Sequence, residues 1–122
     1  MNALAASELL PCKRGTPPLT ADECAVLLRE LPLWSVVPIQ GSVVPVQGVA
    51  HLQCTFTFSN FVDALRFANV VGALAETANH HPMLAIEWGK VEVHWWTHTI
   101  KGLHHNDFVM AARTDAAFNE MS

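Results

Sequence analysis

The chain has little cationic character, few cysteines and no long apolar run, and each shortage excludes a class of function. Seven Lys and Arg stand against eleven Asp and Glu in 122 residues, for a net charge of −4. No cluster of basic residues is present, so binding through nucleic-acid phosphates is not expected. The three cysteines, Cys12, Cys24 and Cys54, are odd in number, scattered and outside any CxxC pairing. They read as reduced thiols in a cytosolic protein. No apolar run approaches the ~20 residues of a membrane span, and residues 1–11 hold neither a basic start nor an Arg. A soluble, cytoplasmic protein without a membrane role is the expectation. Charged residues make up only 15% against 51% hydrophobic, which suits a core-rich small domain and a self-associating one equally well.

What is present divides into a short arm and one domain. Residues 1–18 carry Gly15 and Pro17-Pro18 with little periodicity, which predicts an extended arm. Residues 19–122 read as a single domain. Thr20-Ala-Asp-Glu23 is a capping-box pattern opening a helix to about Leu31, with Pro32 ending it. Its apolar face is Ala21, Cys24, Leu27, Leu28 and Leu31. A short strand is expected over Trp34–Pro38, then a loop or bulged hairpin around Gln40–Gly48, then a strand over Val49–Thr57. Ser59 is the expected N-cap of a second helix running to about Ala78, with Phe61, Leu65, Phe67, Ala68, Val71, Leu74 and Ala75 facing a sheet. Strands over Met83–Trp88 and Lys90–Thr99 meet at a tight turn on Gly89. A third helix follows over His104–Phe118. The order α-β-β-α-β-β-α predicts an α+β fold, a four-stranded antiparallel sheet with its helices packed on one face.

Histidine is dense in only one stretch. All but one of the seven fall between His80 and His105, and clustered imidazoles can hold acid and base forms side by side near neutral pH. His80 and His81 stand where Pro82 ends the second helix, at a joint with the following strand. In that last strand Val91, Val93, Trp95 and Thr97 share the core face, leaving Glu92, His94, Trp96 and His98 on the other. His51, His94, His104 and His105 read as ordinary surface or core residues. Trp95 reads as core, and Trp96 as a residue of the cleft or of a subunit interface.

Glu76, His80-His81-Pro82, Trp88, His98 and Asp107, at these spacings, resemble the signature of the pterin-4a-carbinolamine dehydratases. The resemblance extends to Pro17-Pro18-Leu19-Thr20, Leu31-Pro32-Leu33-Trp34, Phe56 to Phe67, Gly102-Leu103 and Asn106-Asp107-Phe108, so it covers about residues 10–118. It implies dehydration of a 4a-hydroxytetrahydropterin to a quinonoid dihydropterin, with His80 and His98 as the acid/base pair and His81 holding the pterin. Glu76, one helical turn before His80, is expected to orient that imidazole. Trp34 and Trp88 are expected to wall the cleft, Asp107 to fasten the His98 side, and Pro82 and Thr97 to help orient the substrate. No cofactor and no metal are implied, and a homo-oligomer, dimer or tetramer, is. His104 departs from the family, standing where the third helix wants a Ser or Thr cap.

Two rival readings remain. A zinc site could draw on His94 and His98 with His80, His81, His104 or His105. Neither HExxH nor a cysteine pair is present, however, and a His-x-x-x-His pair on a strand spans ~13 Å, too far for one ion. The other rival is a non-enzymatic module, since the family includes dimerisation partners of transcription factors and assembly factors. The apolar 37–50 segment is the surface such a protein partner would use.

Overall fold

The fold is known from a computed structural model that describes residues 3–37 and 50–121. The first helix, α1 (Ala21–Leu28), is opened by the expected box, with the Glu23 N–H donating to Thr20 Oγ1 and the Thr20 N–H to Glu23 Oε1. It is a turn shorter than its apolar pattern. The chain leaves the helix after Leu28 and drops Leu31 into the core through i→i+3 turns.

The four strands are β1 (Ser35–Val37), β2 (His51–Thr57), β3 (Met83–Glu87) and β4 (Lys90–Trp95), all antiparallel in the order β1-β2-β4-β3. The predicted loop at Gln40–Gly48, with Pro38 and Val49, lies outside the described residues. Trp88-Gly89 form the β3–β4 turn, with Gly89 at φ +77° and its carbonyl accepting from the Phe58 N–H.

Helices α2 (Phe61–Ala78) and α3 (His105–Met121) pack on the face carrying Leu52, Cys54, Phe56, Val91, Val93 and Trp95. Asn60, not Ser59, caps α2, its Oδ1 accepting from the Asp63 N–H. Ala64, Phe67, Ala68, Val71 and Ala75 form the buried side of α2, whereas Phe61, Val62, Leu65 and Val70 are exposed. With that side against the sheet, Phe61 and Leu65, both expected to face it, point outward. Phe56, Phe58, Phe67 and Phe118 close the core with ring centroids 4.8 to 5.6 Å apart. No described helix is long and apolar enough to cross a membrane.

The N-terminal arm is more ordered than its composition suggests. Residues 3–6 form a turn that buries Leu4. Arg113 of α3 donates to the carbonyls of Ala5 and Ser7, and Asn106 exchanges two hydrogen bonds with the Leu10 backbone. Covered on its outer side by this arm, α3 buries residues around most of its circumference, from Asp107 to Ala112 without a break.

The opposite face of the sheet carries polar side chains that are nevertheless buried. His51 and His94 expose 0% and 2% of their surface, and both ring nitrogens of His51 lack a hydrogen-bond partner among the described residues. Burial, reinforced by His94 and His98, pushes the His51 pKa down from 6.5 to about 4. The unfolded chain therefore takes up a proton that the folded chain refuses. The stabilising contribution is whole above pH 6.5 and is lost as pH falls toward about 4. The urea midpoint should drop between pH 7 and pH 5, and drop less in His51→Phe; parallel curves would refute the assignment.

Candidate active site

The site begins where α2 stops. Asn79 adopts the left-handed conformation, φ 51° and ψ 44°, its N–H returning to the carbonyls of Ala75 and Glu76. The His80 N–H then bonds to Ala75 O at 3.1 Å, closing a Schellman-type end for which Asn is a tolerated residue. Pro82 keeps His81 extended on its way into β3. The reversal at Asn79 sends the two imidazoles different ways. The His80 side chain is 15% exposed and that of His81 is 52% exposed.

His80 points at the first turn of α3, where Asp107 is fully buried. Asp107 Oδ1 lies 2.6 Å from His80 Nε2, while Oδ2 accepts from Thr97 Oγ1 at 2.8 Å and from the His104 N–H at 2.9 Å. An ionised carboxylate only accepts, so His80 Nε2 carries the hydrogen and Nδ1 is the nitrogen left free. Trp95 lies parallel to the His80 ring, with centroids 5.7 Å apart and planes 6° from parallel. The Trp95 N–H in turn donates to Thr114 Oγ1, so the platform under His80 is itself fixed.

His98 reaches the same place from β4. That strand ends at Trp95, four residues before the expected Thr99, because Thr97 and Gly102 pair with each other across a turn. A Cβ on Gly102 would stand 2.8 Å from Pro18 Cβ, so the arm packs directly against this turn. His98 sits exposed in the turn, stacked on Trp96 at 4.6 Å and 7°. Trp95 and Trp96 point to opposite faces, as neighbours on an extended chain must, and each supports one histidine. Trp96 is expected in the cleft or at an interface from its strand face, whereas Trp95 is expected only as core; the Trp-Trp pair beside two histidines is the signal that points to Trp95.

Asn79, His80, His81, Thr97, His98 and Thr99 line one cavity of about 330 Å³. The expected imidazoles are thus brought together, and Pro82 follows directly on His81. Four other expectations change. Glu76 meets His81 Nε2, not His80, because the left-handed Asn79 breaks the helical register that would have stacked Glu76 under His80. Asp107 fastens His80 directly, in addition to holding the His98 side through Thr97. Trp34 is buried, its N–H donating to Asp115 Oδ1 at 2.9 Å and its ring edge-on to Phe56, away from the cavity. Burial pushes the Asp115 pKa up, and the Trp34 bond opposes that. Trp88 is 72% exposed at the hairpin tip and does not line the cavity of its own chain. Among the described residues no three His, Cys, Asp or Glu side chains are placed to hold a metal ion.

The family model described as pterin 4 alpha carbinolamine dehydratase matches residues 17–117. Two relatives are named "Putative pterin-4-alpha-carbinolamine dehydratase". The one from Chlorobium luteolum is 50% identical over 121 residues, covering 99% of this chain and 100% of its own. The one from Saccharophagus degradans is 50% identical over 107 residues, 88% of each chain. Among solved structures, the transcriptional coactivator/pterin dehydratase of Brucella melitensis superposes with a TM-score of 0.69 at 28% identity, covering 82% of this chain and 97% of that one. The matched span takes in α1 through most of α3 and every residue that lines the histidine cavity, and on that ground the chain belongs to the pterin 4 alpha carbinolamine dehydratase family.

Proposed function

We propose that this chain is a cytoplasmic hydro-lyase that dehydrates 4a-hydroxytetrahydropterin to quinonoid dihydropterin, with His80 and His98 as the acid/base pair and His81 orienting the pterin. The observation that carries the reading is the convergence of three imidazoles on one cavity, with one of them held by a buried carboxylate. In the reaction the C4a–O bond breaks, the 4a-hydroxyl leaves as water after accepting a proton, and N5 gives up its proton as the C4a=N5 bond forms. One group donates a proton and another takes one, so two positioned imidazoles suffice, each contributing about 10²–10⁴ in rate. No metal, redox group or covalent nucleophile enters this chemistry.

The chain's own residues divide the work. Asp107 holds the His80 hydrogen on Nε2, which leaves Nδ1 to exchange a proton with the substrate. Trp95 and Trp96 fix the ring planes of His80 and His98. Glu76 restrains the more exposed His81, leaving its second nitrogen for the pterin. Thr97 turns its hydroxyl hydrogen toward Asp107 and so presents an oxygen lone pair to the cavity. The product is the form that a reductase returns to the tetrahydropterin cofactor of an aromatic amino acid hydroxylase.

The test is the conversion of chemically generated 4a-hydroxytetrahydropterin, followed by ultraviolet absorbance against the spontaneous reaction. Acceleration by the purified protein is expected. A folded protein that leaves the spontaneous rate unchanged would sink the reading.

A second role as a protein partner is favoured by one observation. Phe61, Val62 and Leu65 leave an apolar patch exposed on the first turns of α2, with Val70 exposed further along. A second copy of this chain is the occupant we assign to it, giving a homo-oligomer, dimer or tetramer, a state with which the charge-poor composition agrees. The Brucella relative is named both a transcriptional coactivator and a pterin dehydratase, which is compatible with a partner role beside catalysis.

A further inference from the structure

We propose that His104 is a positioning residue for turnover, whose neutral imidazole caps α3 and thereby holds Asp107 where it fixes His80. The inference rests on the reading of His80 as catalytic. His104 stands immediately before α3 and is 8% exposed. Its Nδ1 accepts from the Asn106 N–H at 3.1 Å, and its own N–H donates to Asp107 Oδ2 at 2.9 Å. This is a variant of the capping box: the imidazole takes the place of the usual hydroxyl but accepts from Asn106, the second helical residue, while Asp107, the third, reaches back to the His104 N–H. The carboxylate that closes the box is the one that holds His80 and Thr97. Cap and proton-transfer site therefore share a single side chain.

A hydroxyl cap is indifferent to pH, and this one is not. Nδ1 accepts only while it is unprotonated. Protonation would set an N–H against the Asn106 N–H and a cation against the positive end of α3, so the ring must leave and the box opens. The groups around it are His105 and Asp107 on α3 and His80 across from them. Asp107 also bears on the Cys12 thiol of the N-terminal arm and the Cys24 thiol of α1. Burial holds the His104 pKa below its ordinary value, His105 and His80 act the same way, and Asp107 acts against them. The cap is thus intact at neutral pH and is lost on acidification. His104 does not line the cavity, so its titration reaches the substrate through Asp107 and His80.

The experiment measures kcat and KM against pH for the parent, His104→Ser and His104→Ala, with His80→Ala alongside. Serine supplies a cap that does not titrate. On the acid limb the parent's kcat should fall about five- to tenfold further than that of His104→Ser, the size of a lost cap carried into turnover, with KM unaffected. His104→Ala should be slower than the parent at neutral pH and His104→Ser should recover most of that loss, a rescue that a role in folding alone would not place in the pH profile. Superposable kcat profiles for the parent and His104→Ser would overturn the proposal, and that comparison stands even if His104→Ala does not fold. If His80→Ala turned over like the parent, the underlying catalytic reading would be the one that failed.

Discussion

His98→Ala should lower kcat by about 10²–10⁴, the range for loss of a positioned acid or base, while leaving the unfolding midpoint where it is in the parent. The separation of the two effects follows from placement. His98 is exposed in the turn between Thr97 and Gly102, and no described side chain hydrogen-bonds to it, so deleting the ring strands no buried partner. Its one ring contact, the stack on Trp96, is to a residue already buried against His51. Circular-dichroism melts beside the absorbance assay decide the matter. Full activity in a folded His98→Ala protein would remove His98 from the mechanism. A large loss of stability would mean that the turn depends on the imidazole.

His80→Ala should lose as much activity and, unlike His98→Ala, should also lose stability. Asp107 is completely buried, and among the described residues one of its oxygens is bound by His80 alone. Removing that donor leaves a buried carboxylate oxygen unsatisfied, a cost of about 1–3 kcal/mol. The stack on Trp95 goes with it. Expecting both alanine variants to fold alike would be reasonable from the sequence, where His80 and His98 look equivalent, and the structure shows that they are not. His80→Gln separates the two losses. Its amide can donate to Asp107 and restore much of the stability, yet it cannot exchange a proton at neutral pH, so activity should stay low. Denaturant midpoints for the three proteins, read beside their kcat values, give the answer. His80→Ala as stable as the parent would remove Asp107 as the partner that matters, and an active His80→Gln would remove proton transfer at His80.

The order of elements was legible because each signal is local. The Thr20/Glu23 box, the alternation along β4 and Gly89 at the turn act over a few residues, and the chain obeys them. Boundaries were less legible where long-range contacts compete with local pattern. The apolar spacing of α1 runs on to Leu31, but the helix ends at Leu28. The strand pattern of β4 runs to Thr99, but pairing of Thr97 with Gly102 stops it sooner. The arm's order was invisible for the same reason, since its partners Asn106 and Arg113 lie about a hundred residues away.

By itself the sequence determined which residue types stand at which spacings, and therefore the α+β order, the family and the set of imidazoles on one stretch of chain. Only the tertiary structure decided their partners. Glu76 sits four residues before His80, as a helical pair should, yet one left-handed residue at Asn79 turns it to His81. That opens His80 to Asp107, 27 residues further on. Spacing fixes what a helix or strand can present on one face. Which buried carboxylate an imidazole meets depends on how α2 and α3 cross the sheet, and that is settled by the packing of the whole core.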